Sequence, residues 1–133
     1  MKSCKSGSQN CVSRSFQAAA SKDKAAEQLL SAVNSYPSSG LEDGKVDGGG
    51  YKLVEDSLSS TGFARWEFQS SGKGKLAKFF NGGKPFTDDL EVLISDSGRV
   101  DLTSSSRVGD SDFGVNAKRV AYIEAALREK GWK

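Results

Sequence analysis

The chain reads as an α+β domain: an antiparallel sheet of about four strands, made of two hairpins, packed against an N-terminal and a C-terminal helix. Three observations predict it. Apolar residues recur at helical spacing towards both ends of the chain, the middle carries two pairs of alternating apolar and polar segments, and a short Gly- and Ser-containing turn joins each pair. Helices flanking consecutive hairpins cover one face of an antiparallel sheet and leave the other open. The 133 residues fit one domain, 1–133, in which residues 1–20 form an N-terminal extension.

Ser21 before Lys22-Asp23-Lys24 reads as a helix cap, and Ala26, Leu29, Leu30 and Val33 then repeat at helical spacing until Pro37. The first helix is therefore expected over about Ser21 to Tyr36. Residues 38–50 hold five glycines and three acids, which predicts a flexible loop rather than an element. Tyr51 to Glu55 and Phe63 to Phe68 form the first expected hairpin across Ser59 to Gly62, with Trp66 and Phe68 on one face and Arg65 and Glu67 on the other. Leu90 to Ile94 and Arg99 to Thr103 repeat the alternation around Ser95-Asp96-Ser97-Gly98. Val120, Ile123 and Leu127 make an apolar stripe, Glu124 and Arg128 an i,i+4 pair, and Gly131 follows the last turn, so the second helix spans about Val115 to Lys130.

Composition removes several function classes. With no histidine, Ser-His and Cys-His nucleophile pairs, histidine zinc sites and the commonest general base are all absent. The 19 Lys and Arg against 17 Asp and Glu leave a net charge of +2, too small to mark a nucleic-acid partner. No apolar run approaches the roughly 18 residues that cross a bilayer, and Met1-Lys2-Ser3-Cys4-Lys5 lacks a signal-peptide apolar core, so a soluble chain without a transmembrane segment of its own is expected. Met1 is the sole methionine and fits either a true start or a chain whose targeting peptide has been removed. Cys4 and Cys11 alone cannot fill a four-ligand zinc site, which leaves a disulfide in an oxidising compartment or two free thiols. No metal and no cofactor is expected.

Charged and conformationally special residues crowd the stretch from Ser106 to Arg119, between a strand pattern and a helix pattern. Several catalytic motifs are nearly spelled there and fail on inspection. Asp112-Phe113-Gly114 matches a kinase metal motif, but the accompanying catalytic loop needs a histidine. Gly109 and Gly114 have the spacing of a phosphate-cradling loop, yet Val115-Asn116 stands where Lys and Ser or Thr belong. Asp110, Ser111 and Asp112 could begin a calcium loop, but Gly114 takes the next ligand position and Ala121 that of the bidentate Glu. Asp88 and Asp89 are adjacent on a strand and so project to opposite faces, which disfavours joint acid and base work on one substrate.

The structural reading of this corner has Asp89 or Asp112 holding Arg107, with Asp112 or Asn116 capping the second helix. A functional reading of the same residues lets Arg107, Lys118, Arg119 and the N–H groups at the helix start receive a phosphate or carboxylate. Elsewhere, Lys73, Lys75, Lys78 and Lys84 flank Phe79-Phe80, either as a solvated loop or as a contact for a lipid headgroup, an acidic protein surface or single-stranded nucleic acid.

Ser106-Arg107-Val108-Gly109, Asp112, Gly114, Asn116 and Arg119 together resemble the Ser-Arg-x-Gly-x-x-Asp-x-Gly-x-Asn-x-x-Arg element of the family called domain of unknown function 1499. The resemblance extends from Asn10-Cys11-Val12-Ser13 through Tyr51, the Trp66 strand and Phe86-Thr87-Asp88-Asp89-Leu90-Glu91. It marks Asp88, Asp89, Ser106, Arg107, Gly109, Asp112, Gly114, Asn116 and Arg119 as signature positions, none with an accepted catalytic role. Thr103 and Ala117 depart from the pattern where many members carry basic residues, which thins the positive cluster. Phe79-Phe80-Asn81-Gly82-Gly83-Lys84-Pro85 is similar to plastid-type members. That similarity implies a chloroplast protein, thylakoid-associated, in the stroma or the lumen, and a disulfide between Cys4 and Cys11 would tilt the choice towards the lumen.

The leading expectation is a non-catalytic accessory subunit docking on a larger, membrane-embedded protein complex, a thylakoid photosystem, with peripheral membrane association and no nucleic-acid partner. The Lys-rich aromatic loop and an exposed sheet or helix face would provide the contacts. One alternative is a module for a small anionic ligand or lipid at the Arg107 and Arg119 corner; another is an enzyme working through Asp88, Asp89 or Asp112.

Overall fold

The structure is a computed structural model that describes residues 1, 3–72, 85–107 and 114–133. The expected contact residues Lys73, Lys75, Lys78, Phe79, Phe80 and Lys84, and the signature residues Gly109 and Asp112, lie outside the described residues.

Five strands form one antiparallel sheet: β1 (Cys11–Gln17), β2 (Gly50–Ser57), β3 (Phe63–Gln69), β4 (Thr87–Ile94) and β5 (Arg99–Ser106), in the spatial order β1-β5-β4-β3-β2. The strands β2 to β5 are the two expected hairpins run together as a meander. The α+β class stands, with two helices among the described residues, α1 (Lys22–Asn34) and α2 (Val115–Glu129), packed on the sheet and against each other. The strand count is corrected from about four to five, because Cys11–Gln17 pairs along its whole length with β5 instead of belonging to an extension. Only Val12 and Phe16 in that segment are apolar, and Arg14 sits between them on the same face, so alternation alone does not reveal a strand.

Ser21 caps α1 as expected, its hydroxyl accepting the Lys24 N–H at 3.4 Å. The stop of α2 is a hydrogen-bonded αL turn: Gly131, at φ +91°, donates to the Arg128 carbonyl and Trp132 to the Leu127 carbonyl. Trp132 then folds back into the core edge-on to Phe16, and its ring N–H donates to Gln28 at 2.8 Å.

Burial alternates strictly along β3 and β4. Ala64, Trp66 and Phe68, with Leu90, Val92 and Ile94, meet Leu29 and Val33 of α1 and Val120, Ile123 and Leu127 of α2 in a single core. Arg65, Glu67, Asp89 and Glu91 point the other way, onto a face that neither α1 nor α2 covers. Turns are tight where the sheet demands it. Gly62, before β3, has φ +82°, and a Cβ there would lie 2.1 Å from the Ile94 carbonyl oxygen.

The segment between residues 38 and 50, expected to be a flexible loop without an element, is corrected. It contains a short 3₁₀ turn over Glu42–Gly44 and a bridge between Leu41 and Val46, and it sinks Val46 and Asp47 into the interior.

Candidate functional site

The alternation of β4 separates its two neighbouring aspartates, and each becomes the centre of a different polar cluster. Asp88 shares a face with Leu90, Val92 and Ile94 and is buried; Asp89 projects to the open face. Register then selects their partners: Asp88 lies opposite Ser106 of β5 and Phe68 of β3, Asp89 opposite Ser105 and Glu67.

The inner cluster is built around Arg119, whose side chain is 0% exposed between α2 and the sheet. Its guanidinium donates to both oxygens of Asp47, through Nε at 2.8 Å to Oδ2, and through Nη2 to Asp88 at 2.7 Å. Nη1 donates to Ser104 at 2.8 Å and to the Asn116 side-chain oxygen at 2.7 Å, and the ring of Phe68 lies 4.7 Å from the guanidinium carbon. Tyr36 completes the shell by donating its hydroxyl to Asp47 at 2.7 Å. Burial opposes the charge on Arg119, but its bonds to Asp47 and Asp88 outweigh that and push its pKa up. Burial raises the carboxyl of Asp88 despite the opposing pull of Arg119, and burial together with the Asp47 hydrogen bond raises Tyr36 well above the phenol range.

Asn116 bridges three elements from inside α2. Its Oδ1 accepts from Ser104 and Arg119, and its Nδ2 donates to Ser106 Oγ at 2.9 Å and to the Asn10 carbonyl at 3.2 Å. The expectation that Asn116 caps the helix is corrected: the N-cap is Gly114 at φ +80°, without a side-chain cap, and Asn116 is spent on the sheet instead. Capping by Asp112 lies outside the described residues.

The outer cluster is a row of charges across the open face. Arg107 donates from Nε and Nη2 to the two oxygens of Asp89 at 2.9 and 2.8 Å, and from Nη2 to Glu67 at 2.9 Å. Arg65 reaches the same two carboxylates at 2.9 and 3.1 Å and approaches Glu55 at 3.5 Å. Hydrogen bonds from Arg107, then from Arg65, hold Asp89 and Glu67 below the usual carboxylate range. Of the sequence alternatives for Arg107, Asp89 is the partner the structure describes.

Chemically, the arrangement fastens more than it receives. Both guanidiniums are met by paired carboxylates, and the raised carboxyl of Asp88 lies beneath α2, 7% exposed, instead of in a cleft. Two shallow surface hollows, of about 110 and 320 Å³, are lined by Gly49 to Lys52 with Glu67 and Gln69, and by residues around Cys4, Ser13 and Thr103. Arg107, Asp88 and Asp89 line neither. Among the described residues, no group of three acidic, Cys or His side chains is placed to hold a metal ion, and no helix is long and apolar enough to cross a membrane. Cys4 and Cys11, left open between disulfide and free thiols, are joined as a disulfide with Cα atoms 5.5 Å apart.

Sequence reasoning missed Asp47 and Tyr36 and left Arg119 open between scaffold and anion receptor. A signal was available for Arg119 and Asn116, since positions 116, 119, 120, 123 and 127 continue one stripe of α2. None was available for Asp47, an acid among glycines.

No curated protein matches the chain. A solved structure of ginseng major latex-like protein 151 from Panax ginseng aligns over 90% of this chain and 97% of its own at 8% identity, with a TM-score of 0.33, a likeness too slight to carry an argument. The family model described as Protein of unknown function (DUF1499) matches residues 3–127, so the chain belongs to that family.

Proposed function

We propose that this chain is a non-catalytic accessory subunit that docks on a larger protein assembly. One observation carries the reading: among the described residues, the signature side chains with chemical potential, Asp88, Asp89, Arg107, Asn116 and Arg119, are engaged with one another and with the scaffold. Residues so occupied hold a shape, and recognition falls to surfaces. The open sheet face is the candidate surface, because Glu55, Arg65, Glu67, Asp89 and Arg107 are already ordered there as alternating charges. Ordered side chains lose little entropy on docking, and near-balanced charge favours a protein surface of complementary mixed charge over a uniformly anionic one.

A chloroplast thylakoid assembly, a photosystem foremost, is the partner we assign, and the lumen the compartment. The support is the similarity of residues 79–85 to plastid-type members together with the Cys4–Cys11 disulfide, which belongs in an oxidising compartment. An anion-binding module at Arg107 and Arg119 has less support, since carboxylates already occupy both guanidiniums. Blue-native separation of gently solubilised native material, followed by mass spectrometry, tests the proposal. Migration with a large assembly is expected, and recovery as free monomer alone would refute it.

A further inference from the structure

We propose that the Cys4–Cys11 disulfide is a reducible latch, opened by a protein dithiol with Cys4 as the leaving sulfur, whose opening loosens residues 4–10 from the inner polar cluster while the fold persists. The inference does not depend on what the chain docks to.

Placement makes the bond both accessible and locally confined. Cys4 and Cys11 are half-buried, and residues 5–10 between them are exposed or half-buried, so the ring contributes nothing to the core. A dithiol can reach the bond, and breaking it removes no core contact. Among the described residues, the ring touches the interior through Asn10. The Asn10 carbonyl, next to Cys11, accepts the Ser106 N–H at 2.9 Å and the Asn116 side-chain N–H at 3.2 Å, and Asn116 in turn accepts from Arg119. The latch therefore stands one residue from the contact that links the first ten residues to α2.

The two sulfurs are not equivalent. The Ser13 hydroxyl lies 3.2 Å from Cys4 Sγ as its donor, and the Thr103 hydroxyl lies 3.2 Å from Ser13 Oγ. With Ser13 donating to sulfur, Thr103 donates to Ser13, so two hydroxyl dipoles in series point at Cys4. Such a chain stabilises a thiolate far more than a neutral disulfide sulfur, and the sulfur with the better-stabilised thiolate leaves. Cys4 also lines the hollow of about 320 Å³, where solvent can deliver the proton.

The steps balance. A thiolate of the dithiol attacks Cys11 Sγ, a new S–S bond forms, and the Cys4–Cys11 bond breaks with its electron pair on Cys4 Sγ, which takes a proton from water. The second thiolate of the dithiol attacks its own sulfur in the mixed disulfide and releases Cys11 as a thiolate. Two thiols are gained, and the dithiol leaves as its disulfide.

The test uses the full oxidised chain with reduced thioredoxin as the dithiol, thiols counted by alkylation and mass spectrometry, and amide hydrogen exchange. The expected result is release of both thiols under native conditions, with faster exchange confined to residues 4–10, Ser106 and the start of α2. Ser13→Ala, or Thr103→Val if the first variant folds poorly, should slow reduction about fivefold, the worth of one weak hydrogen bond. Cys4→Ser combined with Cys11→Ser should reproduce the exchange pattern of the reduced chain. Reduction only after denaturation, or exchange rising throughout the sheet, would overturn the latch; unchanged reduction rates in both hydroxyl variants would overturn the assignment of Cys4.

Discussion

Arg119 of α2 and Asp47 of the loop before β2, 72 residues apart, meet through two hydrogen bonds in a site where the arginine side chain is 0% and the aspartate 3% exposed. This pair ties the segment most remote in character from regular structure to the last helix, and the sheet residue Asp88 closes it from below. Two buried carboxylates around one guanidinium are costly to assemble, and they hold together because every partner is supplied: Tyr36, Ser104, Asn116 and Ser106 complete the shell.

Asp47→Ala strands the Tyr36 hydroxyl and weakens compensation of Arg119, so it should lower stability by about 2–4 kcal/mol. Urea unfolding of the purified variant measures this. The same experiment on Lys45→Ala, an exposed residue with an ordinary helical backbone just past the 3₁₀ turn, should show a change within about 0.5 kcal/mol, as for an ordinary surface site.

The outer pair behaves differently. Asp89 pushes the pKa of Arg107 up, yet the arginine side chain is 45% exposed, and solvent screening limits what the pair contributes. A double-mutant cycle of Arg107→Ala and Asp89→Ala should return a coupling of about 0.5–1 kcal/mol, shrinking as salt rises. Neither variant should unfold the domain at room temperature.

Acid should expose the opposite senses of the two clusters. Asp89 and Glu67 titrate below their unfolded values, so the stability they contribute is present above about pH 4 and is lost as pH falls through their folded values. Asp88 titrates above its unfolded value, so its contribution is present at low pH and is lost as pH rises through its folded value. Thermal melts of Glu67→Gln with Asp89→Asn should therefore lose less stability on acidification than the parent chain, and Asp88→Asn should lose more.

Gly62→Ala combines a left-handed backbone with a Cβ 2.1 Å from a carbonyl oxygen. Strain plus displacement of the β4 end should cost at least about 2 kcal/mol. Gly7→Ala, which shares the positive φ but has open space around it, should cost only the conformational part, about 1 kcal/mol. Comparing their urea midpoints separates the two effects.

Much of the architecture was legible because it is local. The stripe of Val120, Ile123 and Leu127, the cap at Ser21 and the alternation of Trp66 and Phe68 with Arg65 and Glu67 each follow from the periodicity of one segment. The opposite destinations of Asp88 and Asp89 follow from the same rule. What escaped depends on distant partners. Cys11–Gln17 is a strand because β5 offers it an edge, and Asp47 is a core residue because Arg119 arrives 72 positions later. A charged residue reads as solvent-facing until its counter-charge is placed, which is why Arg119 appeared available to a ligand and is instead sealed beneath α2.

Equilibrium unfolding of Arg119→Leu is the most direct measurement of whether the signature arginine is scaffold. Removing it leaves Asp47 and Asp88 facing each other without compensation, and a loss of about 3–5 kcal/mol is expected, with a lowered urea midpoint. A variant as stable as the parent chain would contradict the assignment and return Arg119 to the pool of recognition or catalytic residues.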